Sequence, residues 1–546
     1  MLDLVDHVLH RCDRLKGDRA TTESVWQAIR DLIYPSGGSF LSKETPGGKQ
    51  GQKVLDNTGE QASELLTAAL FAGLTHPDQP WFNMRGVGLE PGDDRDADIW
   101  LDIVSRRTLS RFNSPLSNFA PQQDEKLMDL VDYGSGCVFI QERPGQPPLF
   151  SSRPIAECLF AEGPDGNVDT VYRDVEYTAG QALAKFKGSA GAKVIAAAND
   201  PKTRDNMFQF VHATYPREDR DAQRLDPHNM PFASVWVNKT EKHQISVSGF
   251  PEFPYACPRW RKRAGEVYGR GPGHKALADV QMLQRAMKAQ IRGVEKIIDP
   301  SLMVANDGVL NTPRLGSGKI TYIEPHLMAM AGDPIRPIQT GGRPDLGERF
   351  LDGVRERVQF AFFTHLIQFA RDPKMTATQF LGITEQTRNV LAPILARLQS
   401  QDAQPMIARV FAIGTRAGWY PPPPESIAGR ELRIEYVSPL TKQQNVGEAR
   451  AAAQTIEMLT PLSTTHPEVF DNYDLDAIAR DTGAIMGMRA SWIRGMDQVA
   501  AMRKARAQVQ EQATQADQIE QMAGAAHQGA KALSVIQGGK GVANAA

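Results

Sequence analysis

Residues 271–298 read GPGHKALADVQMLQRAMKAQIRGVEKII. At about 100° per residue this run has two opposed faces. Leu277, Val280, Leu283, Met287, Ile291, Val294 and Ile298 fall on one side. Arg285, Lys288, Arg292 and Lys296 fall on the other, three, four and four residues apart and within about 80° of one another. No acid interrupts this stripe, since Asp279 and Glu295 lie off it. Like charges on neighbouring turns repel by a few tenths of a kcal/mol per pair. A helix that packs on one side and shows cations on the other suits a polyanion outside the chain. Salt bridges between subunits are the competing explanation.

The rest of the composition sets bounds. A chain of 546 residues is too long for one compact core, so several domains are expected. Hydrophobic content of 41% and charged content of 23% are those of an ordinary globular protein. With a net charge of −2 the whole chain is not a basic nucleic-acid binder. Charge is uneven, however: Tyr255 to Pro300 carries ten Lys/Arg against four acids. The four cysteines, Cys12, Cys137, Cys158 and Cys257, form no C-x-x-C pair and read as reduced thiols of a cytoplasmic protein. No run approaches about 18 consecutive apolar residues, so no membrane span is expected. The N-terminal MLDLVDHVLHRCDRL reads as a folded helix rather than a targeting peptide.

Periodicity predicts helices over 1–34, 59–74 (capped by Asp56 or Thr58), 97–112 and 121–133. A strand-rich region follows: 136–141, 150–177 with a turn at Gly163-Pro-Asp-Gly166, 208–215, 233–237 and 243–247. The 271–298 helix stops at Asp299-Pro300. A small mixed module, a second amphipathic helix over 345–369 and an interruption at Arg371-Asp-Pro-Lys374 come next. A helical stretch over 376–417 then kinks near Pro393 and Pro405. Leu432 begins a strand, and helices are expected over 443–459, 474–483 and 489 to about 528. The last has a weak Ala/Gln-rich apolar stripe that suits self-association or a frayed tail, and 538–546 is expected to be disordered. The fold class is α+β, mostly helical.

Signatures of catalysis fail on inspection. Gly316-Ser-Gly-Lys319 lacks the earlier Gly of a phosphate loop, has Ile320 where Ser/Thr would bind Mg²⁺, and leads into a strand. Gly269-Arg-Gly-Pro-Gly273 precedes a helix, but Pro272 removes an N–H donor, so it reads as a turn into that helix. Asp94-x-Asp96-x-Asp98 lacks the turn Gly and distal Glu of a calcium loop and reads as an acidic helix start. Pro258-Arg-Trp-Arg-Lys-Arg263 reads as a solvated basic loop around a half-buried Trp260. The eleven His show no metal spacing, and no G-x-S-x-G is present. The chain reads as no enzyme, with no cofactor and no metal.

Several segments in order resemble the portal (head-to-tail connector) proteins of short-tailed bacteriophages, the podoviruses. They are Ile33-Tyr-Pro35, Asp56-Asn-Thr58, Leu70-Phe-Ala-Gly-Leu74 and Pro80-Trp-Phe82. Arg259-Trp260 with Gly265-Glu-Val-Tyr-Gly-Arg-Gly-Pro272 and the long helix follow. Met375-Thr-Ala-Thr-Gln379, Leu391-x-Pro393, Arg397-Leu-Gln399, Arg409-Val-Phe411 and Glu435-Tyr-Val-Ser-Pro-Leu440 complete the run. The resemblance covers roughly residues 20–495. Gln379 stands where the family usually has Glu, and Thr441 where it has a small residue.

The resemblance implies the phage portal fold of wing, stem, clip, crown and C-terminal barrel, in a ring-shaped oligomer with a central channel. The implied parts are a wing over 1–254, stem start and first stem helix over 255–298, and clip over 299–342. The second stem helix takes 343–370, a tunnel-facing kink 371–378, a wing and kinked-helix part 379–437, the crown 438–500, and barrel and tail 501–546. Lys275, Arg285, Lys288, Arg292, Lys296, Arg371 and Lys374 become candidates to face DNA. Asn306, Asp307, Arg314 and Lys319 become candidates for docking the packaging motor or tail adaptor at the clip. The implied function is a dodecameric conduit for DNA packaging and ejection at one capsid vertex of the virion, assembled in the host cytoplasm. Its implied partners are double-stranded DNA, the terminase large subunit, a tail adaptor or tail tube protein, and the major capsid and scaffolding proteins, with no membrane. Two alternatives compete: another head or tail connector without a DNA channel, and a nucleic-acid enzyme whose active site the sequence hides.

Overall fold

The computed structural model describes residues 4–37, 39–40, 51, 53–75, 80–88, 94–221, 223–224, 226–305, 317–323, 335–337, 344–365, 390–429, 432–436, 451–461, 467–485, 488 and 492–538. The chain is α+β and divides into two compact units. In chain order the elements up to the basic helix are α1 (Leu4–Leu32), α2 (Thr58–Leu74), β1 (Phe82–Gly86), α3 (Arg95–Phe112), α4 (Phe119–Tyr133), β2 (Val138–Gln141), β3 (Leu149–Ser152), β4 (Cys158–Glu162), β5 (Val168–Thr178), α5 (Ala179–Phe186), α6 (Ala192–Asn199), β6 (Met207–Pro216), β7 (Phe232–Asn238), β8 (His243–Phe250), β9 (Tyr255–Ala256) and α7 (Pro272–Ile298). Then come β10 (Leu302–Ala305), β11 (Ile320–Ile323), β12 (Ile335–Pro337), α8 (Pro344–Ala361), α9 (Gln404–Arg416), β13 (Leu432–Tyr436), α10 (Leu475–Ile485) and α11 (Met496–Gly538).

The larger unit spans Met1–Phe82, Arg106–Tyr420 and Tyr436–Leu440. Its main core joins α1, α2, α4, α7 and α8 through fully buried Trp26, Ile29, Leu66, Leu127, Leu130, Val280, Leu283, Val354 and Val358. Beside it β4 to β8 form an antiparallel meander in sequence order. Neighbouring residues of a strand point to opposite faces. Val211 therefore joins α1 on one side, with Val8, Cys12 and Val235. Phe210 joins α5 and α6 on the other, with Ala182, Val194 and Ile245. The strands predicted near 208, 233 and 243 are all present, lengthened by one to three residues at one end or both.

One joint fixes where α7 starts. Helix α4 ends in Gly134, which takes a left-handed φ of 78°. Gly271 then caps α7, with Pro272 at its first turn, where the missing N–H is harmless. A Cβ on Gly269, Gly271 or Gly273 would collide with the carbonyl oxygens of Gly134, Val131 and Asp132 respectively. The glycine motif read as a turn is thus a surface against which the C-terminus of α4 is pressed. The partial negative end of α4 meets the partial positive start of α7, which stabilises both. His274 accepts the Gly271 N–H at 3.3 Å. Burial pushes its imidazole down to about 4, so it is neutral here.

A second tie runs from α7 to the start of α2. Gln284 Oε1 accepts the N–H groups of Leu55 and Asp56 at 2.7 and 3.1 Å, and its Nε2 donates to Asp56 O at 2.6 Å. Asp56 in turn takes the N–H and hydroxyl of Thr58, so it anchors α2 while Asn57 holds the cap position. Helix α8 returns antiparallel to α7: Arg357 pairs with Asp279 at 3.4 Å, and Gly347 lies against Gln290.

Two differences from the periodicity reading have local causes. The helix expected over 345–369 is interrupted after Ala361, where Phe363 turns to a φ of 58° and bonds back to Phe360; its expected end at Phe369 lies outside the described residues. Near Pro405 the chain does not simply kink. It widens into a π-turn over Gln399–Ala403, which absorbs the hydrogen bond that Pro405 cannot donate. Residues 366–389, including Gln379, and 437–450, including Thr441, lie outside the described residues, as does 539–546 of the tail expected to be disordered.

The smaller unit spans Asn83–Ser105, Pro421–Glu435 and Thr441–Ala546. In it β1 pairs with β13, Arg85 bonds Glu435 at 2.9 Å, and Trp100 donates to Pro421 O at 2.9 Å. Asp94 caps α3 by accepting the N–H groups of Asp96 and Ala97, which confirms the acidic helix start. Helix α11 runs unbroken for 43 residues, beyond the predicted end near 528. Val509, Ile519 and Met522 on its weak stripe are about two-thirds or more exposed.

The glycine joint predicts opposite effects of one methyl group. Gly271→Ala should lower the unfolding free energy by about 1–3 kcal/mol through overpacking against α4. Gly293→Ala, where nothing lies within 4 Å, should raise it by about 0.5–1 kcal/mol. Urea denaturation of the unassembled chain reads both.

Two buried carboxyls near the end of α4 make the fold pH-sensitive. Burial pushes Asp129 up to about 7 and Asp132 up to about 8. Asp132 Oδ1 accepts the Ser63 hydroxyl at 2.8 Å while the buried Oδ2 has no partner in the chain, so little offsets the cost of a charge there. Their unfolded values lie near 3.9, so the folded state binds the extra protons. Their contribution is full below about pH 4 and is lost as pH rises through about 8. His274 acts oppositely, losing its contribution as pH falls from about 6.5 through about 4. Between about pH 5.5 and 8.5 the stability difference between the wild type and Asp132→Asn should shift against the wild type as pH rises, a comparison in denaturation experiments that cancels the groups titrating the other way, such as His274.

Candidate nucleic-acid interface

Helix α7 presents the cations as its periodicity predicts. Arg285, Lys288 and Arg292 are exposed and Lys296 is half-buried. They rise over about 16 Å of helix. Among the described residues none of the four has a carboxylate partner, whereas Asp279 on the same helix is engaged by Arg357 of α8. Of the two acids of the helix, Asp279 is thus engaged in packing, and the four bases of the stripe make no salt bridge among the described residues. Lys275 is exposed but leans toward α8, where its Nζ lies 5.9 Å from the Phe360 ring. It stands one to two quarter-turns off the stripe.

The apolar face is covered along only part of the helix. Val280 and Leu283 are buried, Leu277, Met287 and Val294 are half-buried, and Ile291 and Ile298 are 40% and 78% exposed. On α8, Leu346 and Phe350 are about half exposed as well. A shallow hollow of about 530 Å³ lies along Ile291, Val294 and Ile298. The far part of the helix pair thus has an uncovered apolar flank beside its cationic stripe.

Beyond Asp299 lies a three-stranded sheet in the order β11-β10-β12, with β10 parallel to β11 and antiparallel to β12. Lys319 is exposed just before β11, and its carbonyl accepts the Leu302 N–H. Gly318, at a φ of 62°, donates its N–H to Asp299 O, so Ser317 to Lys319 turn into a strand, not into the helix that a phosphate loop precedes; Gly316 lies outside the described residues. Asn306, Asp307, Arg314, Arg371 and Lys374 lie outside the described residues.

The 258–263 cluster is only partly solvated. Arg259 is fully buried and donates to Glu162, Gln401 and the carbonyls of Gly166 and Val267. Trp260 is 3% exposed, where a half-buried ring was expected. Lys262 pairs with Glu162 at 2.5 Å, leaving Arg261 and Arg263 exposed. Glu162 lies about a hundred residues upstream, so nothing local marks Arg259 as structural. All four cysteines are buried free thiols, as expected, with Cys257 Sγ 3.8 Å from Cys137 Sγ. No described helix is long and apolar enough to cross a membrane, and no group of possible metal ligands occurs among the described residues.

Comparison with known proteins bears on this surface. The family described as "Bacteriophage head to tail connecting protein" matches residues 5–493. A portal protein of Salmonella phage epsilon15 is 28% identical over 97% of this chain and 96% of its own length. A probable portal protein of Bordetella phage BPP-1 is 28% identical over 94% of this chain and 93% of its own. A chain from the virion of a native gene transfer agent particle aligns with 79% of this chain and 89% of its own at 10% identity, with a TM-score of 0.36. At that score it carries no argument.

If the stripe has no partner within the chain, its removal should leave the isolated fold alone. Changing Arg285, Lys288, Arg292 and Lys296 together to Gln should alter the unfolding free energy by less than about 0.5 kcal/mol. Asp402→Asn, which strands the fully buried Lys126 ammonium, should cost about 3–5 kcal/mol in the same denaturation experiment.

Proposed function

This chain belongs to the bacteriophage head-to-tail connecting family and is a portal protein, and from that premise we propose that its copies form a dodecameric ring whose channel is walled by α7 and conducts DNA. The observation that carries the reading is the unpartnered cation stripe of α7 beside an uncovered apolar flank. The flank suits a neighbouring copy, and the stripe suits a phosphate backbone.

The physics of a conduit favours this division. A wall must hold DNA off its surface without trapping it. Each cation gains modestly from a phosphate and is screened within about 8–10 Å at physiological salt. Repeated by symmetry, four basic positions per copy give a smooth, sequence-blind field. Base-specific contacts would stall movement. On this reading 1–254 is wing, α7 and α8 are stem, the β10–β12 sheet is clip, 438–500 is crown, and the exposed α11 joins its symmetry copies in a barrel. Lys319, with Asn306, Asp307 and Arg314, would meet the terminase or tail adaptor at the clip. Arg371 and Lys374 would stand at the tunnel kink. The chain itself supplies no chemistry; the motor is a separate protein, and capsid and scaffolding proteins surround the ring in the virion.

The four-Gln variant tests the reading in an assembling system. Rings should form in normal yield by negative-stain microscopy, and filled heads should fall severalfold. Normal packaging would overturn the conduit role of the stripe. Failed ring assembly would assign the stripe to salt bridges between copies.

A further inference from the structure

Far from the stripe in sequence, residues of β5, β6, β7, β8 and α9 line a cavity of about 940 Å³. Seven cations border it and one acid, Glu142. Three of the cations are already matched. Arg173 pairs with Glu157 at 2.7 Å, Arg409 with Glu252, and Arg416 with Glu142 at 2.7 Å and with Glu252. The other four, Arg153, Lys185, Arg220 and Arg224, make no salt bridge among the described residues, although Glu157 favours the Lys185 ammonium and Arg224 acts on Asp226 of its own loop. The lining therefore carries a clear excess of basic over acidic side chains.

The titrating groups feel this field. His212, on the cavity wall, is driven well below its usual value by burial and then by Lys185, Arg173 and Arg153. Lys185 is pushed down to about 7 by burial of its ammonium, with Arg173 and Arg153 adding to it. The wall around His212 is uncharged but dipolar: His212 Nε2 meets Ser234 Oγ at 2.9 Å, and Tyr255 OH meets His212 Nδ1 at 3.2 Å.

Size and lining narrow the ligand. The volume is at the upper end for an organic ligand and far exceeds what a single small anion fills. Phe139, Met230, Pro231, Phe250 and Pro251 add apolar surface that an inorganic polyphosphate could not use. A nucleotide would need a free ring to stack its base, but the rings are engaged. Trp236 carries His212 stacked at 4.4 Å and Lys185 Nζ at 3.9 Å. Arg153 lies over Phe139, and Arg409 over Phe250. Carboxylates on a backbone with apolar side chains meet both requirements. The loop that brings Arg220 and Arg224 to the site is held by Arg217, which donates to the carbonyls of Pro227, His228, Met230 and Ser248.

We propose that this cavity docks an acidic peptide segment, rich in Asp and Glu with interspersed apolar residues, from a partner protein. The proposal is independent of the conduit reading, because it uses none of the stripe residues.

The test uses full-length chain and a fluorescein-labelled octapeptide of alternating Glu and Leu, followed by anisotropy. The wild type should bind it saturably, and the same peptide with Gln for Glu should not bind. The double variant Arg220→Gln, Arg224→Gln, both exposed on the loop, should weaken binding about tenfold or more, since loss of one charge-assisted contact is worth about that factor. Arg153→Gln should weaken it similarly, while the four-Gln stripe variant should bind as the wild type does. Absence of saturable binding, or unchanged affinity in both cavity variants, would overturn the proposal. So would loss of binding in the stripe variant. Displacement of the peptide by ATP or inorganic triphosphate at lower concentration than by unlabelled peptide would reassign the cavity to a phosphate ligand and equally overturn it.

Discussion

The larger unit depends on the contact between the last turn of α4 and the glycines that open α7. Two helix ends of opposite polarity meet there with no side chain between them. Because Gly134, Gly269, Gly271 and Gly273 all lack a Cβ, the backbones approach as closely as carbonyl oxygens permit. This closeness sets where α7 begins and therefore which residues reach the core. Val280 and Leu283 fall inside, and the residues a half-turn away fall outside. The direction of the cation stripe thus follows from a joint more than ten residues before it. Gln284 fixes the same helix a second time, by holding the backbone of Leu55 and Asp56.

Around this joint the chain buries charge heavily. Lys126 with Asp402, Arg259 with Glu162, and Arg19 with Glu23 and the carbonyls of Ile155, Ala156 and Cys158 all lie inside the larger unit. Buried ion pairs contribute little net stability, because desolvation offsets their attraction. They do penalise wrong arrangements, since a displaced partner leaves a charge in the core. Lys126 and Asp402 link α4 to the π-turn ahead of α9. An irregular helix is thereby held in one register by a pair that has no other place to go.

Legibility in the sequence divided along the same physical lines. Both faces of α7, its stop at Asp299, the meander strands and the acidic start of α3 were readable, whereas the cap of α2 fell on Asn57, between the two residues read for it. Each is set by residues within a few positions of one another. The joint was not readable as a joint, because Gly134 and Gly271 are far apart and each looks like an ordinary turn glycine. Arg259 was misread for the same reason: a run of cations looks solvated until a distant Glu162 and three carbonyl or amide oxygens are folded around its guanidinium. The cavity escaped notice altogether. Its cations are spread from Arg153 to Arg416, and only the fold gathers them. The stripe was legible because a helix converts sequence spacing directly into spatial spacing.

The two cationic features differ in geometry, and the difference suits different anions. The stripe is open, regular and carried by one rigid helix, so its field is even along the axis and decays within about a Debye length. Such a surface can favour a polyanion without fixing its position. The cavity is recessed, irregular and assembled from many elements of the larger unit, with aromatic rings holding Lys185, Arg153 and Arg409 in place. Partial exclusion of water strengthens each interaction there, and the fixed directions of its cations reward one arrangement of anions over others. A moving polymer suits the first arrangement, and a stationary segment suits the second. One chain of net charge −2 can therefore hold both without being basic overall, because each acts at the range of its own few charges.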